Sequence, residues 1–155
     1  MNYNPSPSNF IPNEQLTNFL TQLRLFLLPL YKAVTQCRLG MELSLPAFDE
    51  GEDVAVKILH NIIDQFYKYE EYIIDVVDAI ASYYSARAAL VAKTVKYPCV
   101  LDYVCSVLQR DESFYNKIIA WCERIRFDGI MIINACDKHK QYFDAFREDS
   151  HQRMI

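Results

Sequence analysis

The chain has 155 residues and a mass of 18.2 kDa, a length that suits one domain burying about two-thirds of its unfolded surface. Its net charge is −4 and its pI about 5.3, with no clustered face of Lys and Arg, which argues against a nucleic-acid partner. The longest apolar run, Leu25 to Tyr31, is broken by Pro29 and preceded by Arg24; it falls far short of the roughly 20 residues a bilayer span needs, so no membrane partner is expected.

Hydrophobic residues make up 52% of the chain, with 11 Tyr and 9 Phe, while Gly numbers only 3. Sheets and tight turns consume glycine, so this composition predicts an all-α protein of long uninterrupted helices. The opening MNYNPSPSNF has neither a basic segment nor an apolar one, which rules out a signal peptide. Residues 1–12 read as a disordered arm ahead of a helical domain over 13–150. The five cysteines (Cys37, Cys99, Cys105, Cys122 and Cys136) are odd in number and contain no CxxC pair. They are expected as buried thiols of a reducing compartment, the cytoplasm or nucleus.

The first helix is predicted to start at Asn13 as N-cap, with Glu14 in its first turn. Leu16, Phe19, Leu20, Leu23, Phe26, Leu27, Leu30, Val34, Cys37 and Met41 then recur at helical spacing to about Leu45-Pro46. Pro29 should kink this helix rather than end it, because the pattern resumes beyond it.

An acidic turn follows. In FDEGEDVAV, Asp49, Glu50, Glu52 and Asp53 surround Gly51. Asp53 can cap a second helix from Val54 to about Lys96, where Pro98 of KYP disfavours helix at Tyr97. At 1.5 Å per residue this is a rod of roughly 65 Å. Its middle, YIIDVVDAIASYY, is apolar around well over half its circumference, so burial on more than one side is expected.

A connector over Cys99–Arg110 can hold a short helix. Asp111 then reads as the N-cap of a last helix carrying Phe114, Ile118, Ile119, Cys122, Ile125, Ile132, Ile133, Cys136 and Phe143. Gly129 inside it costs about 1 kcal/mol relative to Ala, which suggests close approach of a neighbour. Three helices provide one central seam, and the second helix asks for two. Lateral packing of several copies would supply the second seam, as would a fourth helix from elsewhere; the pattern leaves both open.

Chemistry is sparse. His60 with Asp64 (i,i+4) and Cys136 with His139 (i,i+3) each offer two ligands, which is not a metal site, and a solvated polar face explains both. Cys99 has no basic neighbour in sequence to activate it. No P-loop, GxGxxG or GxSxG occurs, and Trp121 lies on the apolar periodicity as core or interface. The acids of the turn lack the EF-hand pattern. No enzyme, metal or cofactor is expected.

LPAFDEGEDVAVKI, YYSARAALVAKTVKYPCVLDY and DESFY, in that order and spacing, resemble the eleven-S regulator (REG) family of ATP-independent proteasome activators. The resemblance runs from Asn13 to the last residue. It implies an up-down bundle, of three long helices in this chain and four in the family, whose protomers assemble as a heptameric ring on the α-ring of the proteasome core particle. It further implies that Asp49, Glu50, Gly51, Glu52, Asp53, Val54, Ala55 and Val56 form the activation loop that presses on the core particle's gate. Ala55 and Val56 stand at the family's Gly-Val step. The tail over 151–155, with Arg153, Met154 and Ile155, would be the C-terminal docking element, a carboxylate and an apolar side chain entering pockets between α-subunits.

The chain departs from the family pattern at four places. Glu52 and Asp53 replace two asparagines, FREDSHQ replaces a basic Pro-Arg turn ahead of the tail, Ile155 replaces a terminal tyrosine, and the family's first long helix has no counterpart before Asn13. A reduced member, or a first helix from another polypeptide or from a further part of this one, would each account for this. The expected function is therefore ring-forming activation of peptide hydrolysis by the core particle. The alternative is a helical scaffold or adaptor that binds without opening the gate.

Overall fold

The computed structural model describes residues 13–45 and 54–144. They form three long α-helices: α1 (Glu14–Ser44), α2 (Val54–Lys96) and α3 (Leu101–Lys138). All-α architecture is as expected, and no described helix is long and apolar enough to cross a membrane. The proposed arm at 1–12, the cap at Asp53 and the tail at 151–155 lie outside the described residues.

The helix termini follow local chemistry. Asn13 Oδ1 accepts the backbone N–H groups of Gln15 (3.0 Å) and Leu16 (3.3 Å), an N-cap that satisfies two of the orphan donors of α1. Pro29 lies inside α1, which continues past it to Ser44. The second helix spans the range read from sequence. It ends where Tyr97 N–H donates to Lys93 O (2.9 Å) and Val100 N–H to Tyr97 O (3.1 Å), a tight turn across Pro98 into α3.

The third helix begins ten residues before its predicted start. Leu101–Lys138 is one helix, and Asp111 sits in its interior rather than capping it. The reason is tertiary: the Asp111 carboxylate accepts from Tyr83 and Arg87 of α2 instead of from the backbone of its own helix.

The chain divides into two compact units, each built from segments of all three helices. Met1–Leu27 with Asp75–Glu123 forms one. Its core is Leu16, Leu20 and Leu27 of α1, Val76, Ile80 and Tyr83 of α2, and Val107, Phe114 and Ile118 of α3. Tyr83 stacks on Phe114, with ring centroids 4.2 Å apart, and Trp121 meets Phe114 edge-on at 6.0 Å. Leu28–Ile74 with Arg124–Ile155 forms the other, with Val34, Leu59, Ile62, Ile63, Phe66, Ile73, Ile125 and Ile132 buried. Each fully buried Leu or Ile contributes about 1.5–3 kcal/mol of transfer free energy. In both units the paired residues of α2 and α3 run in opposite chain directions, as a short turn between helices requires.

Burial is one-sided along all three helices. Within a single chain α2 covers one wide stripe, while Tyr67 and Tyr84 stay exposed at 48% and 38%. The expected second seam is therefore absent from the lone chain, because two neighbouring helices can cover only one side of a third. The larger uncovered apolar residues lie on the other helices: Phe19, Phe26 and Leu43 on α1, and Leu108, Phe127 and Ile133 on α3. The cysteines also differ from expectation. Cys37, Cys99 and Cys105 are exposed and Cys122 and Cys136 half-buried, all five as free thiols on faces the chain itself leaves open.

Candidate functional site

Of the eight residues assigned to the activation loop, Asp49, Glu50, Gly51, Glu52 and Asp53 lie outside the described residues, as do Arg153, Met154 and Ile155. The other three occupy the first turn of α2, where they differ sharply. Val54 is exposed at 66%, Ala55 is half-buried, and Val56 is buried at 3%. Val56 thus serves the core with its side chain, and its carbonyl lies 3.0 Å from His60 Nδ1. His60 is therefore tied to its own helix backbone.

The stem that enters the loop is held by charge. Arg38 of α1 is buried at 8% and reaches two helices. Its Nε donates to Glu70 Oε1 on α2 (2.7 Å) and its Nη1 to Glu42 Oε2 on α1 (2.9 Å). The guanidinium also lies over the Tyr67 ring, 4.0 Å from the centroid. Hydrogen bonding to Glu70 first of all holds the Arg38 pKa above its already high ordinary value, against the opposing effect of burial. A hydrogen bond to Glu42, followed by burial, raises the Tyr67 phenol above its usual range. Glu42 also closes the helix end, since its carbonyl accepts from Leu45 N–H at 3.2 Å.

This pairing fixes a register. From Arg38 to Ser44 α1 rises roughly 9 Å, whereas α2 needs roughly 24 Å from Glu70 back to Val54. The two helices run antiparallel, since the first part of α1 packs in one unit with the last part of α2 and the last part of α1 in the other with the first part of α2, so α1 ends roughly 15 Å short of the start of α2. Residues 45–53 bridge that offset. Ser44 therefore lies beside the flank of α2 and not level with Val54.

The other unit carries the motif residues of YYSAR. Tyr83 Oη donates to Asp111 Oδ1 (2.7 Å), and Arg87 Nε donates to both Asp111 oxygens (3.0 and 3.1 Å). Burial, then the hydrogen bond to Asp111, pushes the Tyr83 phenol well above its ordinary range. Beside this knot lies a groove of about 710 Å³ lined by residues of α1 and α3, among them Leu16, Phe19, Leu108, Tyr115 and Ile119, and by Arg87 of α2. Reading the sequence missed the roles of Arg38, Tyr67, Glu70 and Asp111. The i,i+4 spacing of Arg38 and Glu42 is the one sequence signal that could have found a pair there.

Among the described residues no three His, Cys, Asp or Glu side chains converge to hold a metal ion.

Comparison with known proteins gives this geometry a context. A family profile described as proteasome activator PA28, C-terminal, matches residues 10–148. Proteasome activator complex subunit 3 of Homo sapiens is 28% identical over 106 residues, covering 68% of this chain and 42% of that protein. Proteasome activator 28 of Dictyostelium discoideum is 31% identical over 77 residues, covering 50% of this chain and 34% of its own length. The crystal structure of the 11S subunit of the Plasmodium falciparum proteasome, PA28, superposes with a TM-score of 0.81 at 26% identity. That match takes in 94% of this chain and 66% of the Plasmodium chain. The aligned part is thus well under half the length of the curated relatives. With its profile matched over nearly the whole sequence and its helices superposed on a solved relative, the chain belongs to the family of proteasome activator PA28, C-terminal.

Proposed function

We propose that this chain is a protomer of a ring-forming, ATP-independent activator that docks on the α-ring of the proteasome core particle and opens its gate. The observation that carries this reading is the superposition of 94% of the chain on an 11S subunit, with the acidic segment falling in sequence between α1 and α2. Relatives named as proteasome activators support it further.

In this reading Asp49 to Val54 make the contact that biases the gate, and Arg153, Met154 and Ile155 supply docking affinity. Val56 contributes from the core, holding the first turn of α2. Gate opening is differential binding: the activator holds the open form more tightly than the closed one and performs no bond chemistry itself. A ring, seven-membered by family resemblance, multiplies seven weak contacts into one strong one. Apolar side chains uncovered on α1 and α3, such as Phe26 and Phe127, suit the lateral packing of copies or of a further helix.

The test mixes purified chain with latent core particle and a short fluorogenic peptide in the absence of nucleotide. A rise in hydrolysis that saturates with added chain supports activation. Complex formation without that rise would leave an adaptor, and turnover of peptide by the chain alone would make it an enzyme.

A further inference from the structure

The four residues Arg38, Glu42, Tyr67 and Glu70 cluster where α1 is about to end. Fold stability alone is a weak reason for such a cluster, because a buried ion pair seldom outperforms apolar residues of similar volume. What charge-assisted bonds from a planar guanidinium add is direction. Arg38 spends one donor on each helix, so the end of α1 is held against α2 at one height and one rotation.

Glu42 carries that constraint to the chain exit. Its carboxylate is held by Arg38 at 2.9 Å, and its own carbonyl accepts the N–H of Leu45, the last described residue before the loop. Ser44 Oγ donates to Gly40 O at 2.8 Å in the same turn. Among the residues of that last turn none is basic, so no side chain there offsets the helix dipole. The direction in which the chain leaves α1 thus depends on Glu42, and Glu42 depends on Arg38.

We propose that Arg38 and Glu42, braced by Tyr67 and Glu70, are positioning residues for gate opening: they set where and at what angle the activation loop begins. This rests on the proposed function above. None of the four need touch the core particle. Ser44 and Val54 lie roughly 15 Å apart along α2, so the constraint on the end of α1 sets where the segment leading to Val54 begins. Releasing Glu42 should therefore leave docking intact and impair opening.

The experiment uses the full chain with latent core particle and a fluorogenic peptide, titrating wild type, Glu42→Gln and Arg124→Gln. Glu42 is partly exposed, so its substitution by Gln spares the core; circular dichroism checks the helix content of each variant. Arg124→Gln removes an exposed i,i+4 pair with Asp128 and serves as the control for loss of an ion pair in general. For Glu42→Gln the maximal stimulation should fall roughly fivefold or more, the usual scale of coupling between sites, with the half-saturating concentration within about twofold of wild type. Amide exchange at Leu43, Ser44 and Leu45 should quicken in that variant and not in the control.

A maximum equal to that of wild type, or one that falls in step with a loss of docking, would overturn the proposal. Unchanged exchange at Leu43–Leu45 would overturn it as well. If wild type fails to stimulate at all, the proposed function is what fails, and the positioning role falls with it.

Discussion

The phenol of Tyr69 occupies the space a side chain at position 129 would need: a Cβ on Gly129 would lie 2.9 Å from Tyr69 Oη. That hydroxyl donates to Ile125 O at 2.9 Å in a buried setting, so it has little freedom to retreat. The close approach anticipated from a glycine within an apolar-periodic helix is therefore a specific contact between α2 and α3.

Gly129→Ala should accordingly destabilise the protein. Ala gains about 1 kcal/mol of helix propensity, while displacing Tyr69 sacrifices a buried hydrogen bond worth roughly 1–3 kcal/mol. In a Tyr69→Phe background the clashing oxygen is gone, and the same substitution should stabilise. A double-mutant cycle by urea unfolding measures this; additive effects would mean that the two sites are independent.

Asp111→Asn distinguishes a tertiary partner from a helix cap. Asn caps helices as well as Asp does, so a capping role predicts almost no change. As the partner of Arg87 and Tyr83, Asp111 should cost roughly 1–2 kcal/mol on conversion to Asn and roughly 2–3 kcal/mol on conversion to Ala. Thermal unfolding reads both, with Glu112→Ala, at an exposed site, expected within about 0.5 kcal/mol of wild type.

That residue also marks where reading the sequence fails. A charged N-cap and a buried ion-pair partner look alike in one dimension, because Asp followed by Glu ahead of an apolar run satisfies both. Arg87, which decides between them, is 24 residues away. The extent of α2 was legible because Pro98 stops it and its apolar periodicity is unbroken. Its second buried side is not supplied within the lone chain, where Tyr67 and Tyr84, apolar in a pattern, remain exposed. The loop-stem cluster escaped for the same reason as Asp111: Arg38 and Glu70 resemble solvated surface charges until two helices bring them together.

Stability should decline at alkaline pH. Tyr83 and Tyr69 have their phenols raised above the ordinary 10.0, Tyr83 by burial and then its bond to Asp111, Tyr69 by burial and then the charge of Asp128. The folded state therefore holds these protons after the unfolded chain has released them. Their contribution is complete below pH 10 and is lost as pH rises through and beyond that value. Urea midpoints measured from pH 8 to 11 in reducing buffer should fall above pH 10, and Tyr83→Phe should flatten the decline. An equal decline in both proteins would remove Tyr83 from the account.

Charge in the loop yields a prediction about salt. By the family resemblance Glu52 and Asp53 stand in place of two asparagines, which would add two negative charges to every loop that the proposed ring brings together. Glu52→Asn with Asp53→Asn should raise maximal stimulation at low ionic strength. The gain should shrink at about 1 M salt, where the screening length falls to about 3 Å. Stimulation that is lower in the variant at every salt concentration would indicate that the acids face a basic surface on the core particle.

The most direct test of the central claim compares the wild-type chain with a variant whose residues 49–53 are replaced by a Gly-Ser linker of equal length. Hydrolysis by latent core particle is measured while complex formation is followed on a native gel. Both chains should bind, and only wild type should accelerate hydrolysis. Equal acceleration by the two chains, or binding by wild type with no acceleration, would contradict that claim.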